Sequence, residues 1–64
     1  MFKKYRKLRN YTQEHLADLT NLDTRTIQRI ENEQKRPSLE TFKKLVRVLN
    51  IEDKDILDYI KKKS

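Results

Sequence analysis

Apolar side chains recur along this chain at helical spacing, in five short runs separated by polar breaks. Phe2, Tyr5 and Leu8 are spaced by three among Lys3, Lys4, Arg6, Lys7 and Arg9, which predicts a short basic helix over residues 2–9. Asn10 can take the left-handed conformation that stops it. Thr12 then caps a second helix, Gln13 to about Thr20, that buries Leu16 and Ala17. Asn21 is a second left-handed candidate, Leu22 an apolar plug, and Asp23 an N-cap whose carboxylate can accept from first-turn N–H groups. The helix it starts runs to Asn32. Each residue turns the side chain by roughly 100°, so Ile27 and Ile30 face a core. Arg25, Gln28, Arg29 and Asn32, at i, i+3, i+4 and i+7, face the other way. Two short helices joined by a three- or four-residue turn make a helix-turn-helix.

After the polar loop Glu33-Gln34-Lys35-Arg36-Pro37, Ser38 caps a fourth helix with the stripe Leu39, Phe42, Leu45, Val46 and Leu49. Asn50 and Ile51 form a short turn. A fifth helix begins at Glu52 or Asp53 and carries Ile56, Leu57 and Ile60, with Lys61 to Lys63 at its negative end. Ile27, Ile30, Leu39 and Leu45 are expected in the core. The fold expected is all-α: a compact bundle of five short helices containing a helix-turn-helix, with residues 1–64 as a single domain.

Composition narrows what such a bundle does. Sixteen Lys and Arg against ten Asp and Glu leave a formal charge of +6, which favours a polyanionic partner. Charged residues make up 41% of the chain, a level compatible with disorder, but the helical recurrence of the apolar positions argues for folding. Gly is absent and Pro occurs once, so closely joined helices are expected in place of flexible linkers. With no Cys there is neither a disulfide nor a thiolate metal site. No apolar run is long enough for a bilayer and no signal-peptide pattern opens the chain, which places the protein in the cytoplasm as an expectation.

The candidate chemistry is recognition, with no catalytic constellation. His15 is the lone histidine, without a Cys or second His to share a metal, and is read as a packing or solvated residue. The acidic pairs Glu52/Asp53 and Asp55/Asp58 fall at a helix start or on an exposed face. Without Gly there is no phosphate-cradling loop of the usual kind. By contrast, the outer stripe of the third helix combines guanidinium and amide groups, the side chains that make paired hydrogen bonds to guanine and adenine edges. No enzyme, cofactor, metal or small-molecule substrate is expected.

Four segments in register go further: Arg6; Tyr11-Thr12-Gln13-Glu14-His15-Leu16-Ala17; Thr26-Ile27-Gln28-Arg29-Ile30-Glu31-Asn32; and Arg36-Pro37-Ser38-Leu39-Glu40-Thr41. Together they resemble the Cro/C1-type (XRE) helix-turn-helix repressors, from Phe2 to about Leu57. The chain departs from the pattern at Asn10, Asn21 and Glu33, where that family commonly has Gly. Asn tolerates the left-handed geometry; Glu33 adds a negative charge close to where a phosphate would lie.

The resemblance implies roles on double-stranded DNA. Thr24, Arg25 and Arg29 would read bases from the major groove, with Thr26 and Gln28 behind them. Gln13 would hold a backbone phosphate at the start of the second helix, and Asn32, Lys35 and Arg36 would do so from the other side of the groove. Arg6 and Glu31 would form a structural ion pair. The function expected is sequence-specific transcriptional regulation, most simply repression by a homodimer on a palindromic operator. The apolar excess of Leu49, Ile51, Leu57, Tyr59 and Ile60 is the expected dimer surface. A protein-interaction module, an antitoxin or anti-repressor of the same shape, is the alternative, and the Arg25/Arg29 stripe speaks against it. A membrane-surface role is disfavoured because the basic residues do not flank one exposed apolar face. A single-stranded RNA role is disfavoured because the few aromatic rings are expected in packing.

Overall fold

The computed structural model describes residues 1–63, without the Lys63 side chain, so the expectation for Lys61 to Lys63 falls partly outside the described residues. Five helices follow one another: α1 (Phe2–Leu8), α2 (Gln13–Thr20), α3 (Thr24–Glu31), α4 (Leu39–Leu49) and α5 (Asp53–Lys63), with no strand among the described residues. The core is formed by Phe2, Tyr5, Leu16, Ala17, Ile27, Ile30, Leu45, Leu49 and Ile51. All-α architecture with a helix-turn-helix at α2–α3 is the observed fold.

The chain ends its first four helices by the same device. Asn10, Asn21, Glu33 and Asn50 take φ of 61°, 57°, 58° and 51°. The N–H of the following residue then donates five residues back: Tyr11 to the Arg6 carbonyl, Leu22 to Ala17, Gln34 to Arg29 and Ile51 to Val46. This closure satisfies carbonyls that the helix leaves open and is normally served by Gly, which lacks the Cβ that the left-handed region penalises. Asn serves three of the four, with Tyr11, Leu22 or Ile51 packing on the core beyond it. The end of α3 is different, with Glu33 at the turn and the exposed Gln34 after it.

Two of the three expected caps are made. The Thr12 hydroxyl accepts from His15 N at 3.0 Å, and Ser38 Oγ from Thr41 N at 3.2 Å. Asp23 stands at the N-cap of α3 in extended conformation, but its carboxylate accepts no cap hydrogen bond and remains exposed to solvent.

Helical phase explains which apolar positions stay outside, Leu39 of the expected core among them. In α1 the covered face holds Phe2, Tyr5 and Arg6, and a three-residue step falls about 60° short of a full turn, so Leu8 rotates out and is 63% exposed. In α4 the covered face centres on Leu45 and Leu49; Leu39, about 100° away in the first turn, is 69% exposed instead of core. In α5, Ile56 and Tyr59 turn inward while Leu57 and Ile60 face out. Conversely, Thr20 is buried, and its hydroxyl donates to the Leu16 carbonyl at 2.8 Å.

α1 ties the bundle together. The Arg9 guanidinium donates to the Leu49 carbonyl at 2.8 Å and the Asn50 carbonyl at 3.1 Å, closing the negative end of α4. The Tyr5 hydroxyl donates to an Asp55 carboxylate oxygen and accepts from Glu52 N at 3.3 Å. The bond to the Asp55 carboxylate holds the phenol above its ordinary pKa, because that bond needs the proton. Phe2, Phe42 and Tyr59 complete the join, with Phe2 edge-on to both other rings at 6.1 and 5.3 Å. The aromatic rings are therefore packing groups, as expected from the sequence.

Candidate nucleic-acid interface

α3 is short, and its two faces differ sharply. Ile27 and Ile30 are buried in the core, which fixes the helix by its inner side. Arg25, Gln28, Arg29 and Asn32 are exposed on the other side. Of the remaining candidates, Thr24 and Thr26 are half-buried, and Thr26 lies about 100° round the helix from Arg25, on its flank.

Behind this surface lies a polar cluster that joins three helices. Arg6 Nε donates to Glu31 Oε2 at 2.6 Å, and Arg6 Nη2 to Glu31 Oε1 at 3.1 Å. The third nitrogen, Nη1, donates to the Tyr11 carbonyl at 2.9 Å. The Glu31 side chain is 2% exposed and that of Arg6 10%, so this is a buried, forked ion pair between α1 and the end of α3. Glu31 Oε1 also accepts from Gln13 Nε2 at 3.0 Å. Gln13 Oε1 in turn accepts from Gln28 Nε2 at 3.4 Å. The structure thus brings Arg6, Gln13, Gln28 and Glu31 into one hydrogen-bonded chain.

Lys35 and Arg36 stand apart from that cluster, on the loop between α3 and α4. They border an open cleft of about 430 Å³ whose walls also include Lys3, Glu33 and Tyr59. Lys3 was not among the sequence candidates. Thirty-two positions separate it from Lys35, and only the docking of α1 beside the end of α3 places the two on one rim. His15 is exposed, with its ring edge-on to the Tyr11 ring at 4.9 Å.

This arrangement — a short helix pinned by its inner face, its outer face exposed and rich in Arg and amide, its end tied to α1 — is matched by a family model. The model of the Cro/C1-type helix-turn-helix proteins (HTH_3) matches residues 2–56. The chain belongs to the Cro/C1-type (XRE) helix-turn-helix family. Neither the curated proteins nor the solved structures searched contain a match to it. As a member of the Cro/C1-type family the chain is a DNA-binding regulator of transcription. No helix among the described residues is long and apolar enough to cross a membrane.

Glu33 carries backbone strain at the turn that ends α3. Its φ of 58° costs an L-residue with a Cβ roughly 1–2 kcal/mol, of which Gly would return a part as lost chain entropy. Its carboxylate shares the cleft with Lys35 and Arg36. Glu33→Gly is expected to stabilise the fold by about 0.5–1 kcal/mol, and to tighten binding to duplex DNA at low salt. Thermal melts and a salt-dependent binding series check the two parts separately. A lower melting temperature for Glu33→Gly would mean that the contacts of the Glu33 side chain outweigh its backbone strain.

Proposed function

We propose that residues 1–64 act as one domain that represses transcription by occupying an operator and excluding polymerase, in the cytoplasm and without cofactor or catalysis. The observation that carries this reading is the outer face of α3, exposed and bearing two guanidinium groups while Ile27 and Ile30 hold the helix rigidly from behind. Inserted N-terminus first into the major groove, that face lets Arg25 and Arg29 fork onto guanine O6 and N7, with Thr24, Thr26 and Gln28 completing the reading set. Gln13, Asn32, Lys35 and Arg36 hold backbone phosphates and fix the register. Selection of bound duplexes from a random pool tests it: recovery of a defined motif is the expected result, and recovery of random sequence would overturn sequence-specific binding.

One domain of this size covers few base pairs, so the active form is a homodimer on a palindrome. The dimer surface assigned from the sequence needs revision, because Leu49 and Ile51 are buried and unavailable. What supports a dimer is the outer face of α5, where Leu57 is 57% and Ile60 49% exposed, with Leu39 exposed beside it. An apolar hollow of about 220 Å³ between Pro37, Leu39, Phe42, Tyr59 and Ile60 continues that face. Footprinting should show two half-sites about one helical turn, roughly 34 Å, apart, and Ile60→Asp should abolish cooperative occupancy without altering the half-site motif. A single asymmetric half-site protected at saturating protein would rule the dimer out.

A further inference from the structure

Where a left-handed turn ends a helix, the residue after it usually packs an apolar side chain back on the last turn. Tyr11, Leu22 and Ile51 do so here. The turn at Glu33 is followed by Gln34, which is exposed, so the end of α3 has no such plug. The cleft of about 430 Å³ opens at this place. Its lining divides by chemistry. Half-buried Met1 and Tyr59, with the edges of Phe2 and Ile30, form an apolar part. Lys3, Lys35 and Arg36, all exposed, supply cations from α1 and from the loop before α4. Of the carboxylates in the lining, Glu31 is held by the Arg6 fork, which leaves Glu33 to oppose those cations.

We propose that this cleft binds a small aromatic carboxylate, with its ring on Met1 and Tyr59 and its carboxylate on Lys3, Lys35 and Arg36. The volume lies within the roughly 300–1,000 Å³ usual for small-molecule sites. The apolar part selects a ring over a bare anion, and the cations select an acid over a neutral ring. Lys35 and Arg36 are also the proposed phosphate ligands, so ligand and duplex compete for the same two side chains. Each then weakens the other by the same factor, and the ligand acts as an inducer that lifts the domain from its operator. The inducer role rests on the proposed binding to DNA; the affinity of the cleft for its ligand does not.

The test begins without DNA, as a calorimetric titration of the full chain with 2-naphthoate. 2-Naphthalenemethanol serves as the neutral counterpart and inorganic phosphate as the anion without a ring. Saturable binding of 2-naphthoate, roughly 10-fold or more tighter than either control, is expected. Lys3→Glu, at an exposed position of α1, should weaken it about 5-fold or more. Leu8→Ser, at an exposed leucine outside the cleft, should leave it unchanged. Thermal melts establish that both variants are folded. Absence of saturable binding, equal binding of the alcohol, or an affinity that survives Lys3→Glu would overturn the proposal. Phosphate binding as tightly as 2-naphthoate would overturn it too and leave the cleft a phosphate seat only. In a second arm, 2-naphthoate at about ten times its dissociation constant should lower affinity for the selected duplex roughly 10-fold. Binding of 2-naphthoate with duplex affinity unchanged would overturn the inducer role. If the chain binds no duplex at all, the operator reading fails, and the first arm still decides the cleft.

Discussion

Arg6→Ala is expected to cost about 3–5 kcal/mol, the usual penalty for breaking a buried ion pair by removing one partner. For a domain of this length, with a total stability of only roughly 3–10 kcal/mol, that is enough to unfold much of the population at 37 °C. The reason lies less in the attraction lost than in what is left behind. Glu31 has a side chain 2% exposed, and without Arg6 its carboxylate retains Gln13 as the one remaining bonded partner of the cluster. The Tyr11 carbonyl loses its donor as well, at the turn that closes α1. Replacing both charges, as Arg6→Met with Glu31→Leu, should recover most of the loss, because no buried charge is then stranded. Denaturant titration of the single and double variants measures both effects. A single variant that melts with the parent but binds DNA less tightly would instead make Arg6 a phosphate ligand.

Arg29→Ala and Arg36→Ala should part company on specificity. The proposed base reader Arg29 is exposed on the outer stripe of α3, whereas Arg36 lies in the loop before α4, beside the cleft. Truncating a forked contact to guanine removes about 1–3 kcal/mol of discrimination at one base pair per half-site. Truncating a phosphate contact weakens all sequences alike and lowers the slope of log affinity against log salt by about one. Affinity for the selected duplex and for random duplex, each across a salt series, separates the two. An unchanged ratio of the two affinities in Arg29→Ala would take Arg29 out of base reading. Unchanged affinity in both variants would shift the reading to a protein-interaction module.

Much of this architecture is legible in the residue pattern because it is local. Thr12 and Ser38 cap as read, and Asn10 and Asn21 take the left-handed region, since each depends on a few neighbouring residues. The Arg6–Glu31 contact came from family resemblance and not from spacing, and the structure makes it. What escaped is mostly tertiary. Periodicity tells which residues share a face but not how wide a strip a neighbour covers, so Leu39 reads as core and stands outside, while Leu49 and Ile51 read as dimer surface and are buried. Arg9 on the end of α4, Lys3 beside Lys35, and Gln13 against Gln28 join positions that only the docking of helices brings together. Asp23 shows the limit even of local signals: the residue type fits the cap and the backbone takes it, yet the carboxylate stays in water.

The ties of α1 to the far end of the chain also bear on the order in which the fold assembles. α2 and α3 meet across a turn of a few residues, whereas Tyr5 reaches Asp55 across 50 positions and Arg9 reaches Leu49 across 40. The entropy lost on closing a loop grows with its length, so the α2–α3 hairpin is the natural nucleus and the docking of α1 onto α4 and α5 a late step. The same contacts are then expected to open first, which hydrogen exchange would show as faster exchange in α1 than in α3. The proposed reading helix sits in the part of the molecule that forms early, while the apolar face of α5 is carried by the part that forms last.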